Sequence, residues 1–102
     1  MSFNINEMFS VAGKTAIVTG GSRGIGKMIA QGFVENGVKT YITARKAEAC
    51  EATAAELSVG GVCIALPADI STTSGRNQFV EAIKQRESKI DILVNNAGAA
   101  WG

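Results

Sequence analysis

Thr15-Ala16-Ile17-Val18-Thr19-Gly20-Gly21-Ser22-Arg23-Gly24-Ile25-Gly26 begins as a short apolar run, breaks into glycines and passes into a segment with helical spacing. A strand that runs through a glycine-rich turn into a helix is what a dinucleotide requires. Gly20 allows the tight turn, Gly24 lets backbone approach a pyrophosphate, and Gly26 lets the helix pack closely on the sheet. The helix start then offers unpaired N–H groups and a partial positive charge to phosphate oxygens. A lone glycine pattern could be merely a loop. The strand before it and the helix after it give this one its meaning.

Moving outward, Ile25, Met28, Ile29 and Phe33 recur at i, i+3, i+4 and i+8, which predicts a helix with these residues on its apolar face. It should close at Asn36-Gly37, with Gly37 in the left-handed position after the helix end. Ala47, Cys50, Ala54 and Leu57 predict a second helix ending near Gly60-Gly61. Phe79, Val80 and Ile83 predict a third, running to about Glu87 behind Ser71 as N-cap. Between them lie Thr40 to Thr43, Val62 to Leu66 and Ile90 to Asn95. These runs lack strict polar alternation, as parallel strands covered on both faces do. The order β-α-β-α-β-α-β predicts an α/β fold with a parallel sheet and right-handed crossovers. With the glycine turn, the expectation is the N-terminal half of a Rossmann-type doubly wound parallel sheet, with strand order 3-2-1-4. The first two helices are not expected to share a face with equal burial of Phe33 and Phe79. Val62–Leu66 should not pair directly with Ile90–Asn95.

The 102 residues suffice for one small domain, and 46% hydrophobic with 19% charged residues is the composition of a globular protein. A net charge of +1 with interspersed signs provides no basic patch, which argues against nucleic acid or an anionic membrane as partner. Cys50 and Cys63 are the only cysteines and there is no histidine, so neither a metal site nor a disulfide framework is expected. Both cysteines read as small buried hydrophobes in a reducing cytoplasm. Met1 to Val11 has no basic start followed by an apolar core, and no apolar run approaches the roughly 18 residues of a membrane span.

The glycine loop is spaced T-G-x-x-x-G-I-G, Asp69 follows the third strand, and Asn95-Asn96-Ala97-Gly98 ends the fourth. With these motifs the chain resembles the short-chain dehydrogenase/reductase family from Gly13-Lys14 to Gly98. The likeness is greatest to its NADPH-dependent 3-oxoacyl reductase branch, the rhamnolipid-associated type included. The resemblance implies that Gly20, Ser22, Arg23 and Ile25 line the phosphate side of the cofactor. It implies further that Asp69 and Ile70 reach the adenine, and that Asn96, Ala97 and Gly98 border the adenosine and its ribose. A small-molecule carbonyl compound, probed best as a 3-oxoacyl thioester, is the implied substrate, and homo-oligomers are the family's habit.

The form of the cofactor follows from charge. A Rossmann unit that takes NAD places an acid about 20 residues on, at the end of the second strand, to accept the ribose 2′-OH. Here that stretch reads Thr43-Ala44-Arg45-Lys46, without an acid. Arg45 can fork onto a 2′-phosphate, and Arg23 in the loop is placed to approach the same group. Arg45 and Lys46 could instead simply begin a solvated helix. The missing acid and Arg23 favour NADP(H).

By resemblance, a complete member carries a catalytic Ser, an assisting Asn and a Tyr-x-x-x-Lys beyond the fourth strand. Tyr41 is the only tyrosine and the residue four later is Arg45, so nothing present replaces them. Residues 1–102 are therefore expected to be the truncated N-terminal part of the fold, inactive alone, with the catalytic residues beyond Gly102. The alternative is a non-catalytic nucleotide-binding module or an inert fragment. Trp101 could face a substrate or pack under a later helix. The fourth strand, with no proline or lysine in Ile92-Leu93-Val94, is expected to leave an edge open to association.

Overall fold

A computed structural model of the chain describes residues 11–96. The expectations for Met1 to Ser10, Ala97, Gly98 and Trp101 lie outside the described residues. Strand β1 (Thr15–Thr19) leads into helix α1 (Gly24–Glu35), β2 (Lys39–Thr43) and α2 (Ala47–Leu57). A 3-10 turn (Ser58–Gly60), β3 (Cys63–Ala65), α3 (Thr73–Lys84) and β4 (Ile92–Asn95) complete the order. The strands form one four-stranded parallel sheet in the order β3-β2-β1-β4, as the sequence predicts. β3 pairs with β2 and not with β4.

Two apolar clusters cover the sheet. Val18, Ile42 and Cys63 meet Ala30 and Val34 of α1 and Cys50, Ala54 and Leu57 of α2. On the other face Ile17, Tyr41 and Leu66 meet Phe79 and Ile83 of α3. α1 and α2 thus share a face, contrary to the expected separation. Two successive right-handed crossovers stepping the same way, β1 to β2 to β3, put both helices on one side. The direction reverses only between β3 and β4, and α3 takes the opposite side. Phe33 is half-buried on the first face and Phe79 buried on the second, so their burial is unequal.

The end of α1 has the expected form. Gly37 has φ of 81°, its N–H bonds to the Val34 carbonyl, and the Val38 N–H bonds back to Phe33. These are the two bonds of a Schellman motif, which needs the left-handed residue between them. The apolar face of α1 differs from the expectation. Gly26, Ala30 and Val34 are its buried residues, while Ile25 and Met28 are 68% and 71% exposed. Where the helix start is pressed against the sheet only small side chains fit and Ile25 and Met28 turn outward, while Ile29 and Phe33 stay half-buried against the core as expected.

Two further boundaries shift. The cap of α3 is Thr72, whose Oγ1 accepts the Gly75 N–H at 2.9 Å, and not Ser71. Ser71 is occupied instead by Asp69, whose carboxylate accepts its N–H and hydroxyl in an Asx turn. β4 alternates between half-buried and exposed residues, with Leu93 65% exposed. Coverage on both faces therefore holds for β1 and β2 but not for β4, which has β1 as its one strand partner among the described residues.

Candidate functional site

The carboxyl ends of β1 and β4 and the start of α1 converge on the glycine loop. Gly20 has φ of 67° and Gly24 φ of 60°, left-handed backbone that side-chain-bearing residues rarely adopt. The Gly20 and Gly21 N–H groups bond to the Thr43 carbonyl at 2.9 and 3.4 Å, hooking the loop over the end of β2. Gly26 is set against the loop it follows: a Cβ there would lie 2.1 Å from the Gly20 carbonyl oxygen and 2.8 Å from Asn96 Nδ2. Around Gly24 the opposite holds, with nothing within 4 Å of the position its Cβ would take.

Among the described residues no side chain caps the start of α1. Arg23 is its N-cap but makes no side-chain cap bond, and the first turn carries no acidic residue. The leading N–H groups of a helix have no intrahelical partner. An anion arriving over Gly24 would meet those donors and the positive end of the helix, with no carboxylate in competition. Those features fit the pyrophosphate of a dinucleotide.

Asn96 comes to the same place from β4. Its N–H bonds to Thr19 Oγ1 at 2.8 Å and its Nδ2 to the Gly20 carbonyl at 3.4 Å. Thr19 Oγ1 also lies 3.3 Å from the Val94 carbonyl and 3.2 Å from Asn95 Oδ1, so one hydroxyl ties the end of β1 to the end of β4. The two motifs, 76 residues apart in sequence, thus form one structure.

At the ends of the neighbouring strands, Arg45 follows β2 and Asp69 follows β3. Hydrogen bonds from Ser71 hold the Asp69 carboxyl below the usual carboxylate range, and the Arg45 charge adds to the effect. Arg45 and Asp69 are therefore neighbours in electrostatic reach. Arg76 Nη1 donates to the Ile70 carbonyl at 3.1 Å and steadies that turn. Arg23 and Arg45 are both exposed, and neither guanidinium has a hydrogen bond or ion pair to a described residue. Thr43 Oγ1, two positions before Arg45, is buried without a hydrogen-bond partner among the described residues. Tyr41 is remote from this end in function: its buried hydroxyl donates to Glu87 at 2.6 Å, and burial pushes its pKa up.

Sequence reasoning overlooked four residues. Gly21 is buried against Ile42, whose Cγ2 would lie 2.7 Å from a Cβ there. Gly75 admits the Asp69 carbonyl to within 1.8 Å of where its Cβ would stand. Thr19 joins the strands, and Thr53 of α2 donates its hydroxyl to the Ser22 carbonyl at 3.0 Å. The doubled glycine could have revealed Gly21. The others depend on how elements cross, which local spacing does not carry. Among the described residues no group of three or more His, Cys, Asp or Glu could hold a metal ion, and no helix is long and apolar enough to cross a membrane.

Comparison with known proteins gives this geometry a context. The short chain dehydrogenase family model matches residues 14–102. The rhamnolipids biosynthesis 3-oxoacyl-[acyl-carrier-protein] reductase of Pseudomonas aeruginosa is 54% identical over 94 residues, covering 92% of this chain and 37% of that protein. Sorbitol dehydrogenase of Cereibacter sphaeroides is 41% identical over 85 residues, covering 83% of this chain and 32% of the relative. The structure described as the Pseudomonas aeruginosa RhlG/NADP active-site complex superposes with a TM-score of 0.84 at 53% identity, covering 86% of this chain and 36% of that one. L-sorbose reductase from Gluconobacter frateurii, solved with NADPH and L-sorbose, gives 0.81 at 34% identity, covering 85% and 34%. The chain thus spans about a third of the length of the curated relatives it matches.

Proposed function

Because the chain belongs to the short-chain dehydrogenase family, we propose that it supplies the NADP(H)-binding part of a carbonyl reductase. The observation that carries this reading is the open, uncapped start of α1 at Gly24, where the left-handed backbone leaves room and no acid competes. Gly20, Ser22, Arg23, Gly24, Ile25 and Gly26 surround the pyrophosphate. Arg45, with Arg23, takes the 2′-phosphate. Asp69 and Ile70 border the adenine, and Asn96, Ala97 and Gly98 the adenosine and its ribose. The choice of NADP over NAD is supported by Thr43-Ala44-Arg45, which offers an exposed guanidinium without a hydrogen bond or ion pair to a described residue, where a carboxylate would repel the phosphate.

NADPH supplies a hydride to the substrate carbonyl when bound. This chain's residues bind and orient it; they do not provide the proton. Tyr41 is buried on Glu87 and has no lysine four residues on, so the general acid belongs to sequence outside these residues. A 3-oxoacyl thioester as substrate is supported by the names of the Pseudomonas aeruginosa relative and of a Synechocystis 3-oxoacyl-[acyl-carrier-protein] reductase. The same reading makes the protein cytoplasmic and a homo-oligomer when complete.

Titration of NADPH and NADH against the unmutated protein, Arg45→Ala and Ala44→Asp tests it. NADPH should bind more tightly, and losing a charge-assisted contact in Arg45→Ala should weaken it roughly ten- to a hundredfold while sparing NADH. Equal affinities in the unmutated protein refute the assignment. The 102-residue chain should not oxidise NADPH with a 3-oxoacyl thioester, whereas a chain extended through a Tyr-x-x-x-Lys should.

A further inference from the structure

The glycine loop is fixed to its surroundings at few points. Gly20 and Gly21 donate to the Thr43 carbonyl, and the Gly20 carbonyl receives Asn96. These all act on the strand side of the loop. On the helix side, where Ser22 leads into Arg23 and Gly24, the contact from another element is the Thr53 hydroxyl on the Ser22 carbonyl at 3.0 Å. Thr53 is 6% exposed and sits on the buried face of α2 between Cys50 and Leu57. Its neighbour one turn on, Glu56, meets Lys27 of α1 at 3.0 Å, so α2 grips both the loop and the helix that follows.

A planar trans peptide points the carbonyl of one residue and the N–H of the next in opposite directions. Holding the Ser22 carbonyl inward toward α2 therefore turns the Arg23 N–H outward. Without the bond, this peptide unit could rotate beside Gly24, whose backbone carries no side chain to resist the change. We propose that Thr53 is a positioning residue for dinucleotide binding: its hydroxyl orients the Ser22–Arg23 peptide so that the loop N–H groups face the pyrophosphate. The inference rests on the cofactor reading above. It also links the two ends of the ligand, since Arg45 stands just before the same helix that carries Thr53.

The test uses the protein expressed from its complete reading frame, with Thr53→Val and Thr53→Ser. Two probes separate positioning from general damage: NADPH, which has the pyrophosphate, and adenosine 2′-phosphate, which lacks it. Thr53→Val should bind NADPH about three- to tenfold more weakly, in keeping with one lost hydrogen bond, and adenosine 2′-phosphate as before. Thr53→Ser keeps a hydroxyl and should restore NADPH affinity. The amide resonances of Arg23 and Gly24 in the unliganded protein should move in the valine variant and not in the serine variant. Unchanged NADPH affinity in Thr53→Val, or an equal loss for both probes, overturns the inference while leaving the cofactor reading intact. Failure of the unmutated protein to bind NADPH overturns both.

Discussion

Substituting alanine for Gly26 separates two effects of opposite sign. In an ordinary helical position the change stabilises, by up to about 1 kcal/mol, because glycine has more backbone freedom to lose. At Gly26 the new Cβ would lie 2.1 Å from the Gly20 carbonyl oxygen, nearly an ångström inside the closest approach real Cβ atoms make. The obstacle is backbone, held in a left-handed turn, so no rotamer change relieves it. Overpacking of this kind costs about 1–3 kcal/mol, and a rigid target puts it toward the upper end. The net expectation is a loss of about 1–2 kcal/mol, which for a domain near 100 residues lowers the melting temperature by about 5–15 °C. Gly32 supplies the control on the same helix, because nothing lies within 4 Å of its Cβ position and its φ is not positive. Gly32→Ala should raise the melting temperature by a few degrees. Thermal melts followed by far-ultraviolet circular dichroism read both. If Gly26→Ala melts at or above the unmutated protein, the close approach of α1 to the loop is not what selects glycine there.

Three further outcomes follow from the geometry. Hydrogen bonds from Lys39 and Tyr41 hold the Glu87 carboxyl below its ordinary value of 4.5, so the stability it contributes is present above that value and lost as pH falls through the lower folded-state value. Glu87→Gln should flatten that acid limb, and Tyr41→Phe should cost about 1–2 kcal/mol at neutral pH; an unchanged acid limb in Glu87→Gln would contradict the assignment. Burial pushes the Cys63 thiol up to about 11 and raises Cys50 as well, so an aromatic disulfide reagent at pH 8 should label neither until urea unfolds the chain, and rapid labelling of the native protein would disprove their burial. The 102-residue chain should self-associate through the exposed flank of β4, and Leu93→Lys should reduce the associated fraction in sedimentation; a monodisperse unmutated chain would count against it.

Much of the fold was legible because it rests on local signals. Gly37 marks the end of α1 through a backbone conformation that glycine adopts freely, and the β-branched runs mark buried parallel strands. Sheet order was legible from the glycine turn that marks a Rossmann unit, and the handedness of crossovers then sets the side of each helix. Ser71 misled because serine serves a turn and a cap equally well. Asp69 two residues earlier captured it, and the cap passed to Thr72. Thr53 left no trace in the sequence, since a threonine on the apolar side of a helix ordinarily reads as packing. Its partner lies 31 residues away, and only the crossing of α2 beneath the loop brings them together.

The misread face of α1 has a physical cause that bears on the site itself. Counting bulky residues every three to four positions selects Ile25, Met28, Ile29 and Phe33, of which Ile29 and Phe33 do pack against the core and Ile25 and Met28 do not; the count assumes that a buried face is a large one. The face actually buried runs Gly26, Ala30, Val34, growing in size from the first turn to the last. Such a gradient is what a helix needs when it lies nearest its sheet at the N-terminus and draws away from it. Contact at that end is set by Gly26 against the Gly20 carbonyl, and a larger residue there would lift the helix start off the loop. The N–H groups of the first turn and the glycine backbone would then no longer converge on one place. Small residues at the start of the inner face and exposed Ile25 and Met28 on the outer one are thus a single consequence of the helix start being held against the loop, where the proposed cofactor reading puts the pyrophosphate.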